Sequence, residues 1–410
     1  MFNVLRSTFN VKYGPLNFFL FLLISVVLLP CQVMGDEFRL VPSATLKEQY
    51  NDNVFYTITD RKSDWVTTLS PALELINKTE KLDVGLQARV DLLYFNEQTD
   101  LNAVDQFYKG KLYYSPTNRL RLGAEAGYAR DSQPDRDIET TGLVLTAIKR
   151  ERKTFGVSGD WRITDTTLTA LSYKYDRDRY DRLYADIESQ YVDLNVSRDI
   201  YPDTKGRLNV GYARFYVPGS STTDNYTGTV GISYAFHELW TFLIDAGPRY
   251  TRTHFNVPTL YLTPSGYAVG IEERMNDGSG WVGQVAMTYK GERASGSLAA
   301  ARNIMPASGT TGAASRNSLT LDIRYRFIYE LSAFVRAYYF TNKSNPGEFS
   351  SRAIDETTTQ VVPGLRYEFT RDIALEASYT YSKTKYEQTD TSAERNSFLV
   401  SFRIQHALLE

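Results

Sequence analysis

The chain has 410 residues, of which 42% are hydrophobic, 23% charged and 13% aromatic, and its formal net charge at pH 7 is -2. A single Cys and three His cannot assemble the usual zinc-ligand or thiol-nucleophile sets, so we expect neither a metal nor another cofactor. The near-neutral charge gives no support for bulk attraction to nucleic acid. These counts exclude zinc, thiol and nucleic-acid-binding chemistry as starting hypotheses.

The first 35 residues differ from the rest of the chain. Arg6 and Lys12 precede an apolar run over 16–29, and Val33–Gly35 places small or modest residues before Asp36. This pattern predicts a secretory signal peptide over residues 1–35, because the run is shorter than the roughly 20 residues of a membrane-spanning helix. Cleavage would remove the only cysteine, and an exported chain without cysteine is typical of Gram-negative envelope barrels rather than disulfide-stapled secreted folds.

After Asp36 the apolar residues recur with a period of two. The clearest stretches are 226–236, 319–327 and 397–404, in which Tyr, Phe, Leu, Ile and Val alternate with Gly, Ser, Thr and charged residues. Helical spacing is hard to find in the same region. The alternation predicts an all-β protein built from half-buried strands.

Short and long polar breaks alternate strictly along the chain. The short breaks are 77–80, 115–118, 164–167, 201–204, 236–238, 290–292, 328–330 and 370–372, and the long ones are 51–63, 96–105, 131–152, 176–187, 217–224, 251–277, 303–316, 343–355 and 386–394. Short periplasmic turns that alternate with long external loops are typical of a membrane barrel. We therefore predict a single-domain transmembrane antiparallel up-and-down β-barrel over residues 36–410, with about 18 strands (range about 16–20) that extend beyond the outer leaflet.

Two long breaks invite a more detailed interpretation. Residues 140–148 alternate like a strand and are followed by the basic run Lys149–Arg152, which we interpret as a strand extension above the membrane or an inward-folded loop. Residues 251–277 contain Pro258, Pro264 and two glycines. This composition predicts an irregular external loop.

Soluble β-sandwiches, propellers and solenoids also show period-two strands. Their solvent-facing sides would be rich in Lys and Glu, whereas the polar faces here carry many Gly, Ser, Thr and Ala residues. Tyr and Phe also collect near the ends of the predicted strands, as in Tyr113–Tyr114, Phe215–Tyr216 and Tyr338–Phe340. Aromatic girdles at the two membrane interfaces explain that distribution and favour the membrane barrel.

Several segments carry a family resemblance. The start of the mature chain, LVPSATLKEQYNDNVF at 40–55, and TLSPAL at 68–73 are accompanied by the paired turn-and-strand segments TDTTLTALSY at 164–173 and TRDIALEASY at 370–379. With these motifs of moderate specificity, the whole mature chain resembles outer-membrane β-barrel porins whose genes often lie in exopolysaccharide and exosortase (PEP-CTERM) loci. The resemblance implies a barrel in the outer membrane of a Gram-negative bacterium, with export of surface polysaccharide as its commonest proposed role, and it carries no catalytic residues.

The sequence gives little support for catalysis or metal binding. Barrel enzymes need a His near the external rim, and only His254 is predicted there, without a recognisable nucleophile or acid partner. We therefore do not expect an enzyme. Acidic residues that could offer oxygen ligands to calcium are Asp52, Asp176, Asp178 and Asp181. Arginines interleave the last three of these aspartates, so we interpret the segment that carries them as a charged solvated loop with internal salt bridges. We interpret Asn51–Asn53 as an Asx turn.

The alternate, polar positions of the strands are predicted to line the lumen. The basic candidates are Lys109, Lys111, Arg119, Arg121, Arg162, Arg207, Arg324, Arg326, Arg336 and Arg366, and the acidic candidates are Glu74, Asp83, Asp160, Asp193, Asp245, Asp322 and Glu376. Most of the basic positions lie close to short breaks, which places them towards the periplasmic mouth. Two interpretations stay open: a preference for anionic solutes, or a network of ion pairs that braces the wall.

These observations favour a passive, water-filled route across the outer membrane, and we predict that exopolysaccharide leaves the cell through it. The alternatives are a general solute porin, a barrel that sheathes an electron-transfer cytochrome, and an outer-membrane hydrolase. Because the chain has no Cys-x-x-Cys-His motif, a sheath would need a haem-bearing partner. The expected partners are outer-membrane lipid, polysaccharide or another anionic solute, and periplasmic export proteins.

Overall fold

A computed structural model describes residues 37–132, 149–181, 185–264, 266–306, 312–345, 348–349 and 353–408. The strands are β1 (Glu37–Asn51), β2 (Asp64–Lys78), β3 (Leu82–Phe95), β4 (Ala103–Thr117), β5 (Leu120–Asp131), β6 (Arg150–Thr164), β7 (Thr167–Tyr180), β8 (Ile187–Tyr201), β9 (Thr204–Val217), β10 (Ser221–His237), β11 (Trp240–Thr263), β12 (Gly266–Lys290), β13 (Ala294–Pro306), β14 (Ala313–Arg326), β15 (Leu331–Ser344), β16 (Ile354–Glu368), β17 (Ile373–Tyr386) and β18 (Thr391–Gln405). The predicted signal peptide and residues 133–148 of the predicted 131–152 break lie outside the described residues.

The strands form one closed antiparallel sheet. Each strand pairs with its neighbours in the chain, and β1 also pairs with β18, from Ser43 opposite Gln405 to Asn51 opposite Ser397. Closure removes the free edges and pairs backbone groups between strands, as a lipid environment requires. The prediction of an up-and-down barrel of about 18 strands is confirmed, since the sheet has 18.

The only helical element in the described part of the chain is one turn of 3-10 helix, Thr99–Leu101. None of the helical structure described there is long and apolar enough to cross a membrane.

The eight predicted short breaks are tight connections at one end of the barrel. Threonine side chains stabilise several of them: the Oγ1 atoms of Thr79, Thr117 and Thr370 each accept hydrogen bonds from backbone N–H groups two and three residues further on. These are the turn-forming contacts for which Ser and Thr are favoured. The confirmed turn positions fix which strands rise and which descend.

Outward-facing side chains form an apolar band between two aromatic girdles. On β10 the exposed side chains run from Tyr226 to Phe236. Tyr226 lies between Tyr212 and Tyr250, with ring centroids 5.1 and 6.3 Å away. At the short-turn end, the centroid of Phe236 is 6.0 Å from that of Trp240. The length of β10 between Tyr226 and Phe236 agrees with the roughly 25 Å apolar band of outer-membrane barrels. The residues that precede Tyr226 in β10 therefore extend above the membrane.

The prediction of an irregular loop at 251–277 is wrong. β11 and β12 keep one unbroken register from Trp240 opposite Tyr289 to Thr263 opposite Gly266, and so form a long hairpin. Gly266 has a φ of +124°, which a glycine adopts at a tight turn without a steric cost. The exposed Tyr267 and Ile271 continue the alternation, a signal that the proline and glycine content had obscured.

Candidate transport channel

The register places the predicted polar residues on the face opposite the exposed apolar band. On that face Arg121 lies opposite Asp160, and Asp322 lies opposite Arg336. The other strand candidates follow the same alternation, namely Lys109, Lys111, Arg162, Arg207, Arg324, Arg326, Arg366, Glu74, Asp83, Asp193, Asp245 and Glu376. Arg119 lies in the turn between β4 and β5. The barrel wall thus has a polar interior face with basic groups near its short-turn end.

Some of these charges brace the wall. Arg207 Nε lies 3.2 Å from Asp245 Oδ1, and Gln284 donates to the other oxygen of the same carboxylate over 2.7 Å. Arg366 contacts Glu368 at 2.9 Å and Glu376 at 3.8 Å. In the turns at the mouth, the exposed Arg119 lies 3.3 Å from Asp165.

Other basic groups in the interior have no carboxylate within 4.0 Å among the described residues, namely Lys109, Lys111, Arg121, Arg162, Arg324, Arg326 and Arg336. Two of them stack on aromatic rings: the guanidinium of Arg121 lies 4.1 Å from the ring centroid of Tyr113, and that of Arg336 lies 4.9 Å from that of Phe334. A cation–π contact orients a guanidinium without neutralising it. Both predicted roles, bracing and anion attraction, thus have residues that fit them.

The acidic segment predicted as a solvated loop belongs largely to a strand. β7 continues to Tyr180, so Asp176 and Asp178 face the interior. Their partners lie on the same strand and on β6: Lys174 Nζ is 2.9 Å from Asp176, and Arg152 Nε is 2.6 Å from Asp178. The loop prediction was wrong because the high charge of the segment masked its alternation. Asp181 follows the end of the strand.

Within the described ranges, no group of three or more His, Cys, Asp or Glu side chains is arranged to hold a metal ion. The Asx turn is confirmed by the hydrogen bond from Asn53 N to Asn51 Oδ1, 2.9 Å long. Asp52, the remaining calcium candidate, accepts hydrogen bonds from the backbone and side-chain nitrogens of Asn396 on β18. This side chain therefore fastens the turn to the barrel wall.

Sequence reasoning missed an apolar constriction inside the barrel. Phe215 is fully buried on the interior face of β9, where it packs with Ile304 of β13, Ala313 of β14 and Phe349 from the connection between β15 and β16. The backbone N–H of Ala313 donates to the carbonyl oxygen of Phe349 over 2.8 Å. Because β9 and β13 are not neighbours in the sheet, this contact crosses the interior.

The constriction forms because the end of β13 leaves the wall. β13 pairs with β12 only from Ser295 to Arg302, although β12 continues far beyond that point. The tip of β13 stays paired with β14, as far as Pro306 opposite Ala313, and reaches the opposite side of the barrel. There Met305 and Pro306 line a cavity of about 600 Å³ together with residues of β4 to β8. Tyr113, Tyr191 and Asp193 contribute to the same cavity. The only signal of this constriction in the sequence was the apolar residues at the borders of the predicted long breaks 303–316 and 343–355.

A second connection also folds inward. In the loop between β1 and β2, Tyr56 is buried, and its hydroxyl lies 3.2 Å from Thr384 Oγ1 on β17. The Arg395 guanidinium lies 5.3 Å from the centroid of the Tyr56 ring. Inward-folded connections therefore narrow the barrel at its long-loop end, and the polar interior face lies below them.

The solved structures that resemble this fold include the following three. OccK3 (OpdO) of Pseudomonas aeruginosa is 11% identical, with 92% of this chain and 98% of that chain covered and a TM-score of 0.46. OccAB1 of Acinetobacter baumannii is 12% identical, with 93% and 99% covered and a TM-score of 0.46. The ferric-catecholate import receptor Fiu of E. coli K12 is 8% identical, with 90% and 82% covered and a TM-score of 0.49. No curated protein matches the chain.

One family model matches part of the sequence. It is described as putative beta-barrel porin 2 and covers residues 294–406. These residues contain β13 to β18, the strands that carry Arg324, Arg326, Arg336 and Arg366. The predicted resemblance to a β-barrel porin family is thus confirmed over this segment, and the chain is a porin-like β-barrel of the outer-membrane type.

Proposed function

We propose that this barrel is a passive, water-filled channel in the outer membrane of a Gram-negative bacterium, and that it lets exopolysaccharide leave the cell. The observation that carries the proposal is the interior wall, where arginines stack on aromatic rings in the pairs Arg89–Phe107, Arg121–Tyr113 and Arg336–Phe334. Barrels of 16–18 strands are wide enough for an aqueous channel. The interior of this barrel suits a hydrated polymer better than an apolar solute.

The stacked pairs explain how such a wall can guide a sugar chain. Arg89 lies 4.2 Å from the ring centroid of Phe107, and Arg121 forms the similar pair with Tyr113. Aromatic faces offer sugar rings a flat apolar contact, while the N–H edges of arginine bind carboxylate groups. Weak contacts repeated along a wall favour passage over tight retention.

The constriction supports a second candidate, a general solute porin. Phe215 and Phe349 fill part of the cross-section at the long-loop end, and that narrowing would admit small solutes more readily than a polymer. The two functions differ in the size of the molecule that passes. For export, the constriction must widen or leave an open passage beside it.

Flux measurements on the purified protein in liposomes separate the two candidates. Export predicts entry of uronic-acid oligosaccharides of ten or more sugars, and faster entry of acidic than of neutral chains of equal length. A sharp cut-off near the size of a disaccharide would contradict export and support the general porin. In the native host, deletion of the gene should trap the polymer in the periplasm, and unchanged surface polymer would also contradict export.

A further inference from the structure

A buried arginine lies in the interior face of the wall above the membrane, without a carboxylate partner among the described residues. Arg316, on β14, is only 6% exposed, and its Nε atom has no hydrogen-bond partner in the part of the chain that the structure describes. The guanidinium lies 4.0 Å from the ring centroid of Phe340, which is itself fully buried. Burial lowers the pKa of Arg316 to about 10, so the group remains charged at neutral pH. An uncompensated buried charge is costly and calls for a partner.

A second unsatisfied donor stands beside it. Asn342 of β15 is the direct cross-strand partner of Arg316, is 3% exposed, and has no hydrogen-bond partner for its Nδ2 atom. Side chains directly opposite each other in antiparallel strands have Cβ atoms about 5 Å apart. The two donors can therefore reach one small group, and neither has an acceptor in the described part of the chain.

The inward-folded segments cover this pair. Ser344, two residues beyond Asn342 on the same face, accepts a hydrogen bond from the backbone N–H of Phe349 through its Oγ atom. The carbonyl oxygen of Phe349 in turn accepts a hydrogen bond from the backbone N–H of Ala313, which is three residues before Arg316. The donors therefore lie beneath the constriction, where bulk water competes less strongly for a bound ion.

The position of the pair lies beyond the membrane. Tyr339, in the upper aromatic girdle, is three residues before Asn342, and its cross-strand partner Leu319 is three residues after Arg316. Both donors thus belong to the part of the barrel that extends above the apolar band. A solute that leaves through the channel would meet them last, directly before the constriction.

We propose that Arg316 and Asn342 form an interior binding site for one oxyanion group, a carboxylate or a phosphate, such as the repeat unit of an acidic polysaccharide carries. A guanidinium provides charge-assisted donors, and an amide provides a neutral donor at its side. Because it names the chemistry of the exported polymer, this proposal rests on the proposed function. The site itself can be tested without reference to export.

Single-channel recording in planar bilayers provides the test. Glucuronate or inorganic phosphate, added on the long-loop side, should cause brief blocks of the current. Loss of a charge-assisted hydrogen bond changes affinity by about tenfold or more, so R316Q should shorten the blocks by about that factor. If glucuronate blocks the channel and phosphate does not, the site prefers carboxylates. If phosphate causes comparable blocks, the site binds oxyanions in general.

Two further variants keep the test decisive. Asn342→Asp supplies the missing carboxylate to Arg316 and should abolish the blocks in a well-folded barrel. Arg302 provides the matched control: it lies opposite Asn317 on the outer face and stacks on Trp281 at 4.8 Å, so R302Q should leave the blocks unchanged. If the blocks are unaltered in both N342D and R316Q, the proposed oxyanion site is wrong.

The two proposals can fail separately. If the variants contradict the site but acidic oligosaccharides still pass through the channel, the export proposal stands. If the variants support the site but such oligosaccharides do not pass, the export proposal is contradicted.

Discussion

Arg207 and Asp245 form an ion pair of 3.2 Å although a complete strand separates β9 from β11. The residue between them on β10 is Gly231, which is the cross-strand partner of both. A Cβ atom at Gly231 would lie 2.0 Å from Asp245 Oδ1, so only glycine leaves room for the two side chains to meet. The ion pair therefore bridges three strands of the wall.

This relationship gives a stability prediction. Gly231→Ala should destabilise the barrel by about 1–3 kcal/mol, because the new Cβ atom would displace the Asp245 carboxylate from Arg207 and would also lie 2.2 Å from the backbone carbonyl oxygen of Ile244. Gly228→Ala on the same strand is the control, since a Cβ atom there would meet nothing within 4 Å. The midpoint of heat-induced unfolding on a gel should fall for G231A only. Equal midpoints for both variants would show that the ion pair does not stabilise the wall.

The closed sheet predicts the location and behaviour of the mature protein. Closed barrels resist detergent unfolding, because every strand must separate from two neighbours at once. The protein should therefore fractionate with outer membranes and migrate faster on a gel when unheated than when boiled. Recovery in the soluble periplasm, without a mobility shift, would contradict the membrane barrel.

The sequence predicted the strands and short turns well for a physical reason. A strand with one lipid-facing side must alternate, and turns such as that at Thr79 need particular local residues, so both leave a local signal. The inward contacts of Phe215 and Phe349 left only apolar residues at the borders of the predicted loops, because these contacts join residues far apart in the chain and follow no local pattern. The β11–β12 hairpin was missed because its prolines and glycines outweighed a weak alternation in a segment that projects beyond the membrane.

The arginines at the short-turn end should make the channel favour anions. Of the four predicted there, Arg366 contacts Glu368 and Glu376, and Arg336 lies opposite Asp322. Arg324 and Arg326 are exposed to the interior without a carboxylate partner in the described part of the chain. Replacement of all four by Gln should leave folding intact and lower the preference for anions.

The partners of these arginines refine that expectation. The double variant R324Q/R326Q should produce most of the loss, whereas R366Q should produce little, because its charge is already offset. The reversal potential in a salt gradient measures the preference, and low salt is needed because about 0.1 M salt screens charges beyond roughly 10 Å. If the folded quadruple variant has an unchanged reversal potential, these arginines stabilise the wall and do not contribute to the preference for anions.

The apolar constriction should limit the size of the molecules that pass. Phe349→Ala removes the ring that packs on Phe215 and should loosen the inward segment while the barrel itself remains closed. We expect higher conductance and faster entry of neutral oligosaccharides into liposomes. Phe369→Ala, at an exposed position at the short-turn end, is the control and should leave both unchanged. The same size limit in F349A and the unmodified protein would show that the cluster does not restrict passage.

Glu356 should make the proposed oxyanion site sensitive to pH. It is the third residue of β16, beyond the upper girdle, and burial raises the pKa of its carboxyl group to about 7. Its cross-strand partners are Asn342 and Tyr386, and Arg316 lies one strand further. In the described part of the chain, Arg316 and Glu356 form no ion pair within 4.0 Å. Below pH 7 the carboxyl group is protonated and neutral. Above pH 7 it becomes an anion beside Asn342 and repels an incoming oxyanion.

Blocks of the channel by glucuronate should therefore last longer at pH 6 than at pH 8. A repulsion of about 1 kcal/mol, expected for two charges several ångströms apart in a hydrated site, corresponds to a change of roughly fivefold. Glucuronate is the suitable probe, because its carboxylate stays ionised over this range, whereas phosphate titrates within it. Glu356→Gln should hold the blocks at their pH 6 duration at both pH values. If the unmodified channel shows the same duration at pH 6 and pH 8, Glu356 does not act on the site.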